Sequence, residues 1–262
     1  MQFIEVVDHS KAVLNSPFGR MKHLLVLMLL LFFIPFNTHA KGKGKAKIKL
    51  RTNPNQIEDV WTVSNELNYY HEPNQPYQNT LYENITLDYS ASNGWDFQLA
   101  SYNIPLVGGG AQNYQADTYF NISKTFIISQ DFQAVLGTQS GTTLLHSANS
   151  RQLHNADYAL VVYQPSRQVN LHAGSYWVNK SLSTTTDYLG YTGGFNIEVL
   201  DNLLTLQADY FSGNNNLSGA VFNTWIRVHP KAQVYFGVGV PETNSGNEFY
   251  GTVGFSVAGT SG

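Results

Sequence analysis

The chain has 262 residues, no cysteine, 13% charged and 13% aromatic residues, and a formal net charge of −3. Without cysteine it is no small disulfide scaffold, so stability must come from fold size or closure. Its charged fraction is about half the roughly 25% of an ordinary soluble domain.

Residues 1–20 show neither signal nor domain character, and Met21 makes a more ordinary start, so 1–20 read as an over-long start. The next segment, 21–40, has the three parts of a secretory signal peptide. Lys22 and His23 give a basic beginning, Leu24 to Phe36 an apolar run of 13 residues, and Thr38-His39-Ala40 small residues around a cleavage point. A membrane-spanning helix would need roughly 18–20 apolar residues, and Pro35 interrupts this run. Residues 41–58 then form a short basic tail, with Lys41, Lys43, Lys45, Lys47, Lys49 and Arg51 expected in the periplasm. From residue 52 onward six bases face sixteen acids counted from Glu58, so the main domain, 59–262, carries about −10 against a +6 tail. That acidity argues against nucleic acid as a partner.

Strand character recurs twelve times, near 59–70, 81–91, 95–104, 115–127, 131–139, 156–164, 168–178, 187–199, 203–212, 218–228, 231–240 and 247–258. Most stretches alternate apolar and polar residues, the period of a strand with two unlike faces. Ile85, Leu87 and Tyr89 do so in the second, Trp95, Phe97 and Leu99 in the third, and Phe195, Ile197 and Val199 in the eighth. Residues 156–164 are apolar on both faces, so their phase is open. Every second connection is very short: Ser92-Asn93-Gly94, Ser129-Gln130, Pro165-Ser166-Arg167, Asp201-Asn202 and His229-Pro230. Asp201-Asn202 suits a tight hairpin because both residues tolerate positive φ. The remaining links are longer and rich in Gly, Asn, Pro and Ser, such as "HEPNQPYQN" and "SGTTLLHSANSRQLHN".

An even number of strands of about ten residues, with short and long links in alternation, is the pattern of an outer-membrane barrel. A secreted soluble sandwich would give Greek-key crossovers and no reason for the alternation. The expected fold is therefore all-β, a 12-stranded antiparallel transmembrane β-barrel in meander order, its apolar phase (Phe195, Ile197, Leu204, Leu206) facing lipid. On these features the chain resembles the bacterial outer-membrane β-barrels of porin type. More loosely, "LSGAVFNTWIRVHPKAQVYFGVGV" resembles the closing strands of outer-membrane barrels associated with aromatic-compound degradation. The resemblance implies residence in the cell outer membrane, contact with its lipid, and insertion by barrel-assembly machinery that reads a terminal aromatic residue. Here Phe255 is the aromatic nearest the end.

With the apolar phase outward, the other phase lines the lumen. Glu66, Asp88, Asp96, Asp117, Glu198 and Asp209 fall on it, with Glu248 near the rim, against Arg227 and His172 as its chief bases. A carboxylate-lined lumen repels anions and favours cations or neutral polar solutes. The expected function is a channel for small neutral or cationic solutes. The alternatives are a surface adhesin or structural barrel acting through its long loops, or a lipid hydrolase at the rim. For the hydrolase, His146-Ser147 is the only adjacent pair, in a loop that also holds His154. "GTQSG" at 137–141 lacks the G-x-S-x-G spacing. No catalytic set, metal site or cofactor is expected: His71 and Glu72 sit in a Pro-rich loop, and no helix follows Gly108–Gly110. The tail, 41–51, is a candidate plug for the acidic lumen or a ligand for anionic headgroups.

Overall fold

Alternation drives every element. In the computed structural model, which describes residues 59–71, 79–107, 116–143, 153–183, 186–243, 245 and 247–260, twelve strands form one sheet. They are β1 Val60–His71, β2 Asn79–Ser90, β3 Trp95–Val107, β4 Asp117–Ile127, β5 Phe132–Thr143 and β6 Leu153–Ser166. Then follow β7 Val169–Val178, β8 Leu189–Leu200, β9 Leu204–Phe211, β10 Gly219–His229, β11 Ala232–Pro241 and β12 Tyr250–Thr260. A 3-10 turn, Lys180–Leu182, lies between β7 and β8. Each strand pairs antiparallel with its neighbours in sequence, and β1 closes on β12 from Val60 opposite Thr260 to Tyr70 opposite Tyr250. Closure satisfies every edge, which a sheet facing hydrocarbon requires. Segments 1–20, 21–40 and 41–58 lie outside the described residues, as do His146 and Ser147.

The two phases part cleanly. Outward positions include Leu99 and Leu136, each 52% exposed, whereas inward Asp88 and Gln133 are 1% exposed. Aromatic rings mark both margins of the outer surface. Toward the short turns Trp61 lies 4.5 Å from Tyr89, Trp95 6.3 Å from Phe97, and Phe132 4.7 Å from Tyr163. Toward the long loops Tyr69, Trp177, Tyr191 and Tyr210 are exposed. An apolar band between two aromatic girdles is the surface of a membrane-spanning barrel. Phe195, Ile197 and Leu206 lie on this outward parity; Leu204 shares it but is covered by its neighbours, at 6% exposure.

Two readings are refined. β6 turns Ala156, Tyr158, Leu160 and Val162 inward, because Val135 and Val178 give that quarter of the interior an apolar cluster. The β8–β9 hairpin turns through residues 201–203, one more than Asp201-Asn202, with Asn202 at φ +55° and a register shift between Glu198 and Leu200. A left-handed residue with an adjacent bulge is the usual form of a three-residue hairpin. At the start of β1, the Asp59 carboxylate takes hydrogen bonds from the Tyr89 hydroxyl and the Ser92 amide, which hold its pKa below the ordinary value.

Inside, five tyrosines each lie across the glycine directly opposite on the next strand: Tyr119 on Gly141, Tyr158 on Gly137, Tyr176 on Gly190, Tyr235 on Gly254 and Tyr250 on Gly239. A ring laid on a strand glycine covers backbone that would otherwise lose its packing. A Cβ at Gly254 would stand 2.3 Å from Tyr235 Cζ, while one at Gly251 on the same strand meets nothing within 4 Å. Gly254→Val therefore costs about 1–3 kcal/mol of stability through overpacking. Gly251→Val leaves the urea midpoint of the folded barrel in lipid vesicles unchanged.

Candidate functional site

The inner wall carries a polar chain that crosses strands at two glycines. Glu66 on β1 accepts hydrogen bonds from Asn68 (2.6 Å) and Asn84 (2.9 Å) on one carboxylate oxygen. Its other oxygen accepts from the Tyr235 hydroxyl of β11 at 2.8 Å. Between them stands Gly254 of β12, opposite both Glu66 and Tyr235, and only a bare backbone lets the phenol span that strand. Tyr235 stacks on Trp225 of β10 at 4.1 Å, and the indole N–H donates to Gln207 Oε1 of β9 at 2.8 Å. Gln207 Nε2 donates to Asp209 Oδ2 at 2.7 Å, and Asp209 Oδ1 stands 2.9 Å from His172 Nε2 of β7. Here Gly194 of β8 is the gap, opposite both His172 and Asp209; a Cβ on it would meet Asp209 Oδ1 at 2.4 Å. The His172 and Asp209 side chains are fully buried.

The remaining acids occupy other heights of the same wall. Asp88 accepts from Gln98 Nε2 at 2.6 Å, and Asp117 from Asn103 Nδ2 at 3.0 Å, with Asn103 held at φ +58°. Asp96 is buried on β3. Glu198 and Arg227 lie toward the short turns and share Asn202, whose backbone N–H donates to Glu198 and whose side-chain oxygen accepts from Arg227 at 3.1 Å. All eight residues singled out from the sequence thus sit on inward positions. Glu66, Asp209 and His172 join one chain of contacts; Glu198 and Arg227 join a second; Asp88 is bonded by Gln98, and Asp117 by Asn103.

Sequence reasoning missed three contributors. The links of the polar chain, Tyr235 and Trp225, read as ordinary strand aromatics; the signal for Tyr235 was the mid-strand Gly254 opposite it on β12, and nothing in the sequence marked Trp225. Residues 215–218 turn inward, with Asn215 fully buried and donating to the Tyr176 hydroxyl at 3.1 Å, and Leu217 packed beside Leu182 and Phe211. Among the described residues, which do not include 146–147, a serine–histidine contact also exists: His154 Nδ1 lies 2.9 Å from Ser181 Oγ. That hydroxyl has two further acceptors at 2.7 Å, the Leu153 carbonyl and Asn179 Oδ1, and His154 is buried inside the wall. A nucleophile must hand its proton to its base, and here two other oxygens compete for it. Among the described residues, no three His, Asp or Glu side chains converge as for a metal ion.

No family model and no curated protein matches the chain. Solved structures do. The KdgM porin aligns with a TM-score of 0.54 at 11% identity, over 75% of this chain and 98% of that one. The NanC porin gives 0.52 at 10%, over 77% and 99%. The fold is that of a porin-type outer-membrane barrel. An active-site mutant of outer membrane phospholipase A from Escherichia coli shares it, at 0.52 and 11% over 78% and 93%. At such identities the likeness is one of fold, so what this porin-type barrel does must be read from its own wall.

Proposed function

We propose that this barrel is an outer-membrane channel through which small neutral or cationic solutes move passively. The observation that carries this reading is the charge of the inner wall. Glu66, Asp88, Asp96, Asp117, Glu198 and Asp209 point inward, whereas Arg227 is the only Lys or Arg on an inward strand position among the described residues. Carboxylates along a low-dielectric passage attract cations and turn anions away. One porin of this fold is described in complex with oligogalacturonate, a chain of carboxylated sugars. The acidic wall here disfavours a solute of that charge.

Reconstituted in a planar bilayer under a KCl gradient, the chain is expected to give discrete steps with a cation-selective reversal potential. Anion-selective steps would sink the assignment of solute charge, and a folded barrel without conductance would sink the channel itself. The second reading, a lipid hydrolase, draws on the His154–Ser181 contact. It requires phospholipid hydrolysis that Ser181→Ala abolishes.

A further inference from the structure

Near the short turns the wall opens into a pocket lined by Asn170, Asn196, Thr205, Trp225, Arg227 and Gln233, among others. Asn170 and Asn196 stand directly opposite each other on β7 and β8, 3% and 4% exposed. Neither amide atom of Asn170 has a hydrogen-bond partner, nor does Asn196 Nδ2. Buried amides are nearly always paired, because desolvating one without compensation is costly. Two facing asparagines that do not bond to each other, both on the lining of one pocket, offer three amide atoms to a ligand there.

The chemistry of the set selects that ligand. An amine or metal cation needs acceptors alone, and an anion needs donors alone. Asn170 presents both a donor and an acceptor, and Asn196 adds a donor, the complement of hydroxyl groups that each give one hydrogen bond and accept others. Thr205 and Gln233 extend the same mixed character around a pocket that Arg167, Arg227 and Glu198, charges of both signs, also line. Trp225 supplies a flat apolar surface, fixed by its N–H bond to Gln207 and backed by Tyr235, against which the C–H face of a ring can rest. Resting on the channel reading and deepening it, we propose that this pocket is a binding subsite for a neutral polyhydroxylated solute of sugar type.

The test uses the full chain in planar bilayers with sucrose as the probe and choline chloride and sodium sulfate as controls. Sucrose is expected to reduce the mean conductance in a saturable way. The concentration for half effect should rise at least about tenfold in Asn170→Leu/Asn196→Leu, while conductance in plain KCl persists. Trp225→Phe, a smaller change, should weaken the sucrose effect if the double variant does not fold. Conduction with no saturable sucrose effect, or with one that neither variant alters, overturns the subsite and leaves the channel standing. A saturating response to sulfate or choline in place of sucrose overturns the assigned chemistry. If the folded chain does not conduct, the channel reading fails and the subsite is judged in micelles. Sucrose must then shift the tryptophan emission of the wild type but not of Trp225→Phe, and no shift overturns it.

Discussion

His172→Leu lowers the stability of the folded barrel by about 3–5 kcal/mol, the range for breaking a buried pair and leaving the charged partner behind. The partner is Asp209, whose carboxylate would keep only the Gln207 amide as a donor in a fully buried position. Asp209→Leu costs less, because an imidazole can remain buried without charge whereas a carboxylate alone retains its full desolvation penalty. The double variant His172→Leu/Asp209→Leu recovers most of the loss, since two apolar groups of similar volume can replace a buried pair at little cost. Urea unfolding in vesicles at neutral pH reads all three. Equal losses in both single variants with no recovery in the double would mean that the two side chains act by volume alone. The order His172→Leu, Asp209→Leu, double variant, from most to least destabilised, is what a coupled pair requires.

Much of this architecture was legible in the sequence, because a barrel strand needs only a period of two and a turn. Phe195, Ile197 and Val199 alternate without interruption, and the five short links punctuate the chain at residues that suit tight turns. β6 resisted because Leu160 and Val161 are both apolar. Periodicity cannot choose a phase there, and only packing against Val135 and Val178 decides it. The partners of the inward acids were hidden for a different reason. His172 and Asp209 lie on strands separated by β8, so their contact depends on the register of two pairings and on the absence of a side chain at Gly194. Glu66 and Tyr235 are 169 residues apart and meet only because β1 closes on β12 across Gly254. A glycine in mid-strand is visible in the sequence, but what reaches over it is fixed by the closed ring. Asn170 and Asn196 could be placed inward by alternation, yet that they leave each other's amides unpaired is a matter of side-chain geometry alone.

Neutralising Glu66, Asp88 and Asp96 together, as Glu66→Gln/Asp88→Asn/Asp96→Asn, should lower the cation-over-anion permeability ratio by about tenfold or more. A unit charge about 4 Å from a passing ion acts on it with about 1 kcal/mol in a water-like medium, and every 1.4 kcal/mol is a factor of ten. At Glu66 and Asp88 the wall can accept these substitutions. Glu66 Oε1 takes its bonds from Asn68 and Asn84, which a glutamine oxygen can also receive, and the Tyr235 hydroxyl can turn from donor to acceptor toward the new amide. At Asp88 one oxygen keeps the bond from Gln98 while the Thr86 hydroxyl accepts in turn. Fold and conductance should therefore survive while selectivity falls, and lysine at the same three positions should carry the reversal potential through zero to the anion side. An unchanged reversal potential in the neutral variant, with the barrel folded, would assign these carboxylates to holding the wall together through their amide and phenol donors. Ion choice would then rest with groups nearer the mouths, Asp117 toward the long loops or Glu198 and Arg227 toward the short turns.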